Sequence, residues 1–208
     1  MHFCCARAAA VVGANLLKGP AMLRRMLLPI MLLAMPALAQ KSAQQPAAVP
    51  LAMLASLPAG LAGFARGGTT NYAAVARDPR LGAAVDYRSL RGVTARVFLY
   101  DAGERQIGGS NTASLLEAQL RAGINEVGQL YPAHYMRILA ERPAKHAGLR
   151  CTLLDIGADD GPLTESAVCL GTVGGLFLKL RATAPTAAAG ALDAALSPFA
   201  TGLVALLR

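Results

Sequence analysis

A chain of 208 residues with 54% hydrophobic content suits one globular domain plus an export segment rather than two domains. Its formal charge of +8 overstates how basic the folded part is, because Arg7, Lys18, Arg24 and Arg25 precede residue 40 and their removal brings it to +4. The remaining Lys and Arg are scattered without a like-signed run, which argues against nucleic-acid binding, and the lack of Trp leaves little for a stacking platform.

Residues 1–39 read as a secretory signal peptide. Arg24 and Arg25 open it, an apolar run follows from Met26 to Met35, and Ala37-Leu38-Ala39 forms an A-x-A cleavage site before Gln40. The run falls short of the roughly 20 apolar residues that span a bilayer. No Cys follows it, so a lipoprotein anchor is excluded. Met22 alone starts a complete signal, so both Met1 and Met22 stay open as the start, and Cys4 and Cys5 fall outside the expected mature chain either way. The expected location is periplasmic or secreted, with no stable membrane anchor after cleavage.

Residues 40–56 are rich in Gln, Ala and Pro and carry no period, the composition of a flexible tether. A single domain then fills residues 57–208. Residues 64–75, 82–89 and 93–101 are strand candidates. The last two are joined by Leu90-Arg91-Gly92, whose Gly suits the final position of a three-residue hairpin loop. That register sets Tyr87 against Ala95, Val85 against Val97 and Ala83 against Leu99 on one face, with Asp86 against Arg96 on the other.

After Asp101-Ala102-Gly103 the period changes. Ala113, Leu116, Leu120, Ile124 and Val127 recur at helical spacing, which predicts a helix over 112–130 lying on the sheet, weakened by Gly123 and Gly128. Residues 135–142 predict another strand and 143–149 a loop. Between Arg150 and Thr183, two turn segments, 157–162 and 171–175, separate three strands. If the first turn centres on Asp160, Cys151 and Cys169 face each other, and a cross-strand disulfide becomes possible. The same register sets Asp155 against Glu165, which like charges disfavour, so a slip of one residue stays open. Leu192, Leu196, Phe199, Leu203 and Leu206 mark the apolar face of a C-terminal helix within 186–207, kinked or restarted at Pro198.

The expected fold class is therefore α+β, an antiparallel β-sheet covered by one long central helix and a C-terminal helix. Its element order resembles the PsbP and Mog1-like α+β sandwich. Leu57-Pro58 with Gly63-Phe64-x-Arg66, Val97-x-x-Tyr100-Asp101-x-Gly103, and Cys169-Leu170-Gly171 before Phe177-Leu178-Lys179 are similar to stretches of uncharacterised exported bacterial proteins. The resemblance implies a small exported accessory or binding domain and transfers no catalytic residue.

No constellation commits the chain to a reaction. HExxH, CxxC and G-x-S-x-G are absent, and neither a metal nor a cofactor is expected. The strongest polar cluster is Arg66, Asp86, Arg88, Arg96 and Tyr100, groups that pair or bind charge rather than supply a nucleophile and a base. Two classes stay open. One is a non-enzymatic domain binding a protein or cell-envelope component through this face. The other is a small periplasmic hydrolase or ligand-binding enzyme assembled in three dimensions, for instance around His134 or His146.

Overall fold

Eight segments pair into one antiparallel sheet, its central strands held by apolar residues and its edge strands largely exposed. The computed structural model describes residues 48–104, 107–108, 110, 112–131, 136–185 and 190–208. The signal peptide, the first part of the tether and His134 lie outside the described residues. In chain order the elements are α1 (Ala48–Ala55), β1 (Gly60–Leu61), β2 (Phe64–Asn71), α2 (Tyr72–Ala76), a short 3-10 turn (Pro79–Leu81), β3 (Ala83–Ser89), β4 (Thr94–Tyr100), α3 (Thr112–Gln129), β5 (Arg137–His146), β6 (Leu149–Ala158), β7 (Gly161–Val173), β8 (Leu176–Pro185) and α4 (Ala191–Leu207).

The strands lie side by side as β1-β2-β3-β4-β8-β7-β6-β5, and all neighbours are antiparallel. Two meanders, β1 to β4 and β5 to β8, are thus fused where β4 pairs with β8. The hairpin register expected for β3 and β4 is present, with Val85 opposite Val97 and Asp86 opposite Arg96.

The α+β expectation is corrected by this architecture. A single eight-stranded sheet dominates the domain, and the C-terminal helix does not simply cover it. Instead the sheet curls around α4, which meets strands from both ends of the sheet order. Leu61 of β1 sits so close to Gly202 that a Cβ there would lie 2.7 Å from its Cδ1, and Asp193 approaches His146 of β5. The concave face holds the larger core, in which Leu192, Leu196, Phe199 and Leu203 of α4 pack with Val85, Val97, Leu178 and Leu180. Phe199 lies at its centre, its ring 4.6 Å from that of Phe64 and 5.2 Å from that of Tyr87. A second core forms on the convex face, where Leu120, Ile124 and Val127 of α3 cover Leu154, Ile156, Val168 and Leu170. Gly123, a weakness in helix propensity, has its reason here: a Cβ would stand 2.9 Å from Val168.

Four local expectations also shift. The tether gives way to helix α1, whose Leu54 is fully buried, so ordered chain begins by Ala48. Strand β2 stops at Asn71, because the Asn71 side chain accepts from Ala74 N–H and caps α2. Strand β5 continues to His146 through the expected loop, with Pro143 opposite Thr152 on a sheet edge where a missing N–H is tolerated. Helix α4 starts at Ala191 and runs through Pro198. Among the described residues no helix is long and apolar enough to cross a membrane.

Cys151 and Cys169 are directly opposite in β6 and β7 and form a disulfide with an S–S distance of 2.02 Å. The register is the one that also faces Asp155 to Glu165. Arg142 of β5 offsets that repulsion by donating to both carboxylates at 2.9 Å. Glu165 is buried, so this neutralisation weighs more than an exposed ion pair does.

Two outcomes follow from this packing. Phe199→Ala removes the ring joining β2, β3 and α4, and should lower unfolding free energy by about 3–5 kcal/mol in urea titrations. Replacing both Cys151 and Cys169 with Ala opens an 18-residue loop and should cost about 3 kcal/mol by the same measurement.

Candidate functional site

On the convex face α3 packs chiefly over β6 and β7 and reaches β8 and β4 only at Lys179 and Tyr100. Over β3, β4 and β8 this face carries polar side chains, and the antiparallel register arranges them in rows. Asp86, Arg96 and Arg181 form one row across the three strands. Arg88, Thr94 and Thr183 form the next. Together these six residues line a groove of about 620 Å³.

Arg96 is bidentate with Asp86: its Nε donates to Oδ1 and its Nη2 to Oδ2, the latter at 2.9 Å. Its Nη1 donates to the hydroxyl of Tyr72 at 3.2 Å. The carboxylate beside it raises the Arg96 pKa further. Arg181, directly opposite Arg96, makes no hydrogen bond or ion pair among the described residues. It is half-buried, and desolvation lowers its pKa from the usual arginine value; Tyr131, Glu126 and Tyr72 partly oppose this and the neighbouring charge of Arg96 adds to it. Arg88 is exposed at the rim. Three guanidinium groups thus face one carboxylate.

A second cleft of about 350 Å³ adjoins the first along β4 and β8, lined by Tyr72, Phe98, Tyr100, Gln119, Glu126 and Lys179. Lys179 is buried. Its ammonium donates to Glu126 of α3 at 2.7 Å and lies 4.6 Å above the Phe98 ring and 5.5 Å from that of Tyr100. Those contacts compensate the desolvation of Lys179 and tie α3 to the sheet. Tyr100 donates to Gln119 Oε1 at 3.0 Å, and burial first, then the charge of Glu126, pushes its pKa well up.

Of the residues singled out in sequence, Asp86, Arg88 and Arg96 come together in the groove. Arg66 also borders the groove but its guanidinium is engaged elsewhere, and Tyr100 lies outside the groove. The Arg66 guanidinium donates to the carbonyls of Leu54, Ala55 and Leu57 at 3.1, 3.2 and 2.7 Å, holding the C-terminal end of α1, and to Thr69. Tyr100 belongs to the aromatic cleft. Arg181, Thr94 and Thr183 escape a sequence reading because β8 is joined to β4 by a pairing that spans most of the domain. The only sequence signal was the alternation of Phe177, Lys179 and Arg181 against the apolar face of β8.

The chemistry of the arrangement suits a negatively charged group. Neither the groove nor the aromatic cleft is lined by a histidine. His146 lies instead on the far side of the sheet, buried, with Nε2 2.9 Å from Asp193 Oδ1 but without the alignment of a hydrogen bond. Among the described residues no group of three or more His, Cys, Asp or Glu is placed to hold a metal ion. No protein-family model matches the chain, and no curated protein matches it.

The raised pKa of Tyr100 has a definite sign in stability. A folded pKa above the unfolded value gives a contribution that is complete below about pH 10 and is lost as pH rises from there through the folded value. Urea unfolding at pH 8 and pH 11 should therefore show a smaller alkaline loss for Tyr100→Phe than for the parent chain.

Proposed function

We propose that this chain is an exported, non-enzymatic binding domain that engages an acidic partner in the periplasm or outside the cell through the convex face of its sheet. The observation that carries the reading is the imbalance in the groove: Arg88, Arg96 and Arg181 are opposed by Asp86 alone. Uncompensated guanidinium groups in a preformed concavity favour carboxylate or phosphate recognition. The export signal at residues 22–39 and a disulfide within the domain support an oxidising compartment. The polar side chains around the groove supply donors and a counter-charge but no nucleophile with an adjoining base, which favours binding over hydrolysis.

The test is cross-linking in the native host, followed by capture with the purified chain and its variants. Arg88→Glu combined with Arg96→Gln should abolish most of the capture while shifting the melting temperature by no more than about 4 °C, since Arg88 is exposed and the Asp86 pair is half-exposed. Unchanged capture by the double variant would remove the convex face as the interface. Turnover of a substrate by the purified chain, lost on His134→Ala, would replace the binding reading with the hydrolytic one.

A further inference from the structure

We propose that the groove binds the phosphate group of a small organic phosphate monoester, with Arg181 as its floor and Arg88, Arg96 and the hydroxyls of Thr94 and Thr183 around it. The inference rests on the binding reading above and names the ligand class. It begins with a pairing that the sheet should avoid. Arg96 and Arg181 are directly opposite on adjacent antiparallel strands, and like charges in that position repel. One carboxylate, Asp86, is present, and both of its oxygens are taken by Arg96. Arg181 has Val168 on its other flank, in the strand that α3 covers, and Glu126 of α3, which acts on it at longer range, is already paired with Lys179 at 2.7 Å. Its guanidinium is therefore half out of water, beside a cation and without an ion pair or hydrogen bond among the described residues.

The number and type of the surrounding groups decide which anion fits. Four arginines border the groove, but the Arg66 guanidinium is engaged by the carbonyls of Leu54, Ala55 and Leu57; subtracting Asp86 from the other three leaves a surplus of two positive charges, and a phosphate monoester carries about −1.5 to −2 at neutral pH. A carboxylate has two oxygens and one charge, which leaves one cation unmatched. The row beside Arg181 adds the hydroxyls. Thr183 shares a hydrogen bond with Ser166 at 3.0 Å, and Thr94 donates weakly to the Thr183 carbonyl at 3.4 Å, so Thr94 is readily redirected to a ligand oxygen. A volume of about 620 Å³ falls in the range of small-molecule sites, larger than a bare phosphate needs. The adjoining cleft, with Tyr72 and Phe98 stacked at 6.0 Å between centroids, gives the organic part of the ligand an apolar wall.

The experiment is calorimetric titration of the purified chain with glycerol 3-phosphate, inorganic phosphate and succinate, and sedimentation with vesicles containing phosphatidylglycerol. Glycerol 3-phosphate should bind saturably with a dissociation constant below about 1 mM. Arg181→Gln should weaken it at least about tenfold, the size expected for losing a charge-assisted contact, without lowering the melting temperature, because the lost charge faced another arginine. Were Arg181→Gln to fail to fold, Arg88→Gln at the exposed rim should still weaken binding severalfold. The proposal falls if no phosphate compound binds up to about 10 mM. It falls equally if Arg181→Gln, or its substitute, leaves the affinity unchanged, if succinate binds as tightly as glycerol 3-phosphate, or if only the vesicles bind. Any of these with host capture still sensitive to Arg88→Glu and Arg96→Gln removes the ligand class and leaves the binding role standing. Phosphate binding with insensitive capture does the reverse.

Discussion

The pairing of β4 with β8 is the constraint on which the rest of the molecule depends. Each meander alone is a four-stranded ribbon whose apolar face would remain in water. Joining them places Val97 beside Leu180 and Leu99 beside Leu178, and produces a sheet wide enough to curl around α4. The same seam creates the polar groove, since Arg96 and Thr94 come from one meander and Arg181 and Thr183 from the other. One set of backbone hydrogen bonds thus completes the hydrophobic core on its concave side and a charged cavity on its convex side.

Buried or half-buried charge in this fold is handled in two ways. Where the sheet places like charges together for structure, a partner answers them, as Arg142 does for Asp155 and Glu165. Lys179 is answered likewise by Glu126 and by the faces of Phe98 and Tyr100. Arg181 is the exception in making no direct ion pair or hydrogen bond among the described residues: Glu126, already paired with Lys179, acts on it only at longer range. Natural interiors rarely leave a desolvated charge unmatched unless something outside the chain matches it, and that contrast within one sheet is what gives the groove its functional reading.

How much of this was legible in the chain follows from sequence distance. The β3 and β4 hairpin could be read residue by residue, because Leu90-Arg91-Gly92 sets its register locally and places Asp86 against Arg96. The cystine was legible less directly: the turn closes with Ala158 opposite Gly161, one residue short of the register that a centre at Asp160 sets, and a register shift between Ile156 and Gly157 restores Cys151 to Cys169. What failed was long-range. Arg66 looked like a member of a polar face, yet the carbonyls it holds come from a helix in a segment whose Gln, Ala and Pro content signals disorder. Arg181 was visible as a polar position in an alternating strand, but nothing near it in sequence announces that Thr94 and Arg96 will be its neighbours. The helices were readable as amphipathic stripes, whereas the curl of the sheet, which overturns the layered α+β picture, arises only when eight strands twist together.

The position of the cystine has a consequence for the order in which the domain assembles. It joins two strands of one hairpin, 18 residues apart, while the Thr94 and Thr183 contact closes a span of 89. Local hairpins form in microseconds, but long closures carry a larger chain-entropy cost and set the pace of β-rich folding. The two thiols therefore meet before the meanders have joined. In an oxidising compartment the chain can be oxidised while its N-terminal half is still unstructured, and the resulting crosslink stiffens the half that supplies Arg181 without committing the seam that creates the groove.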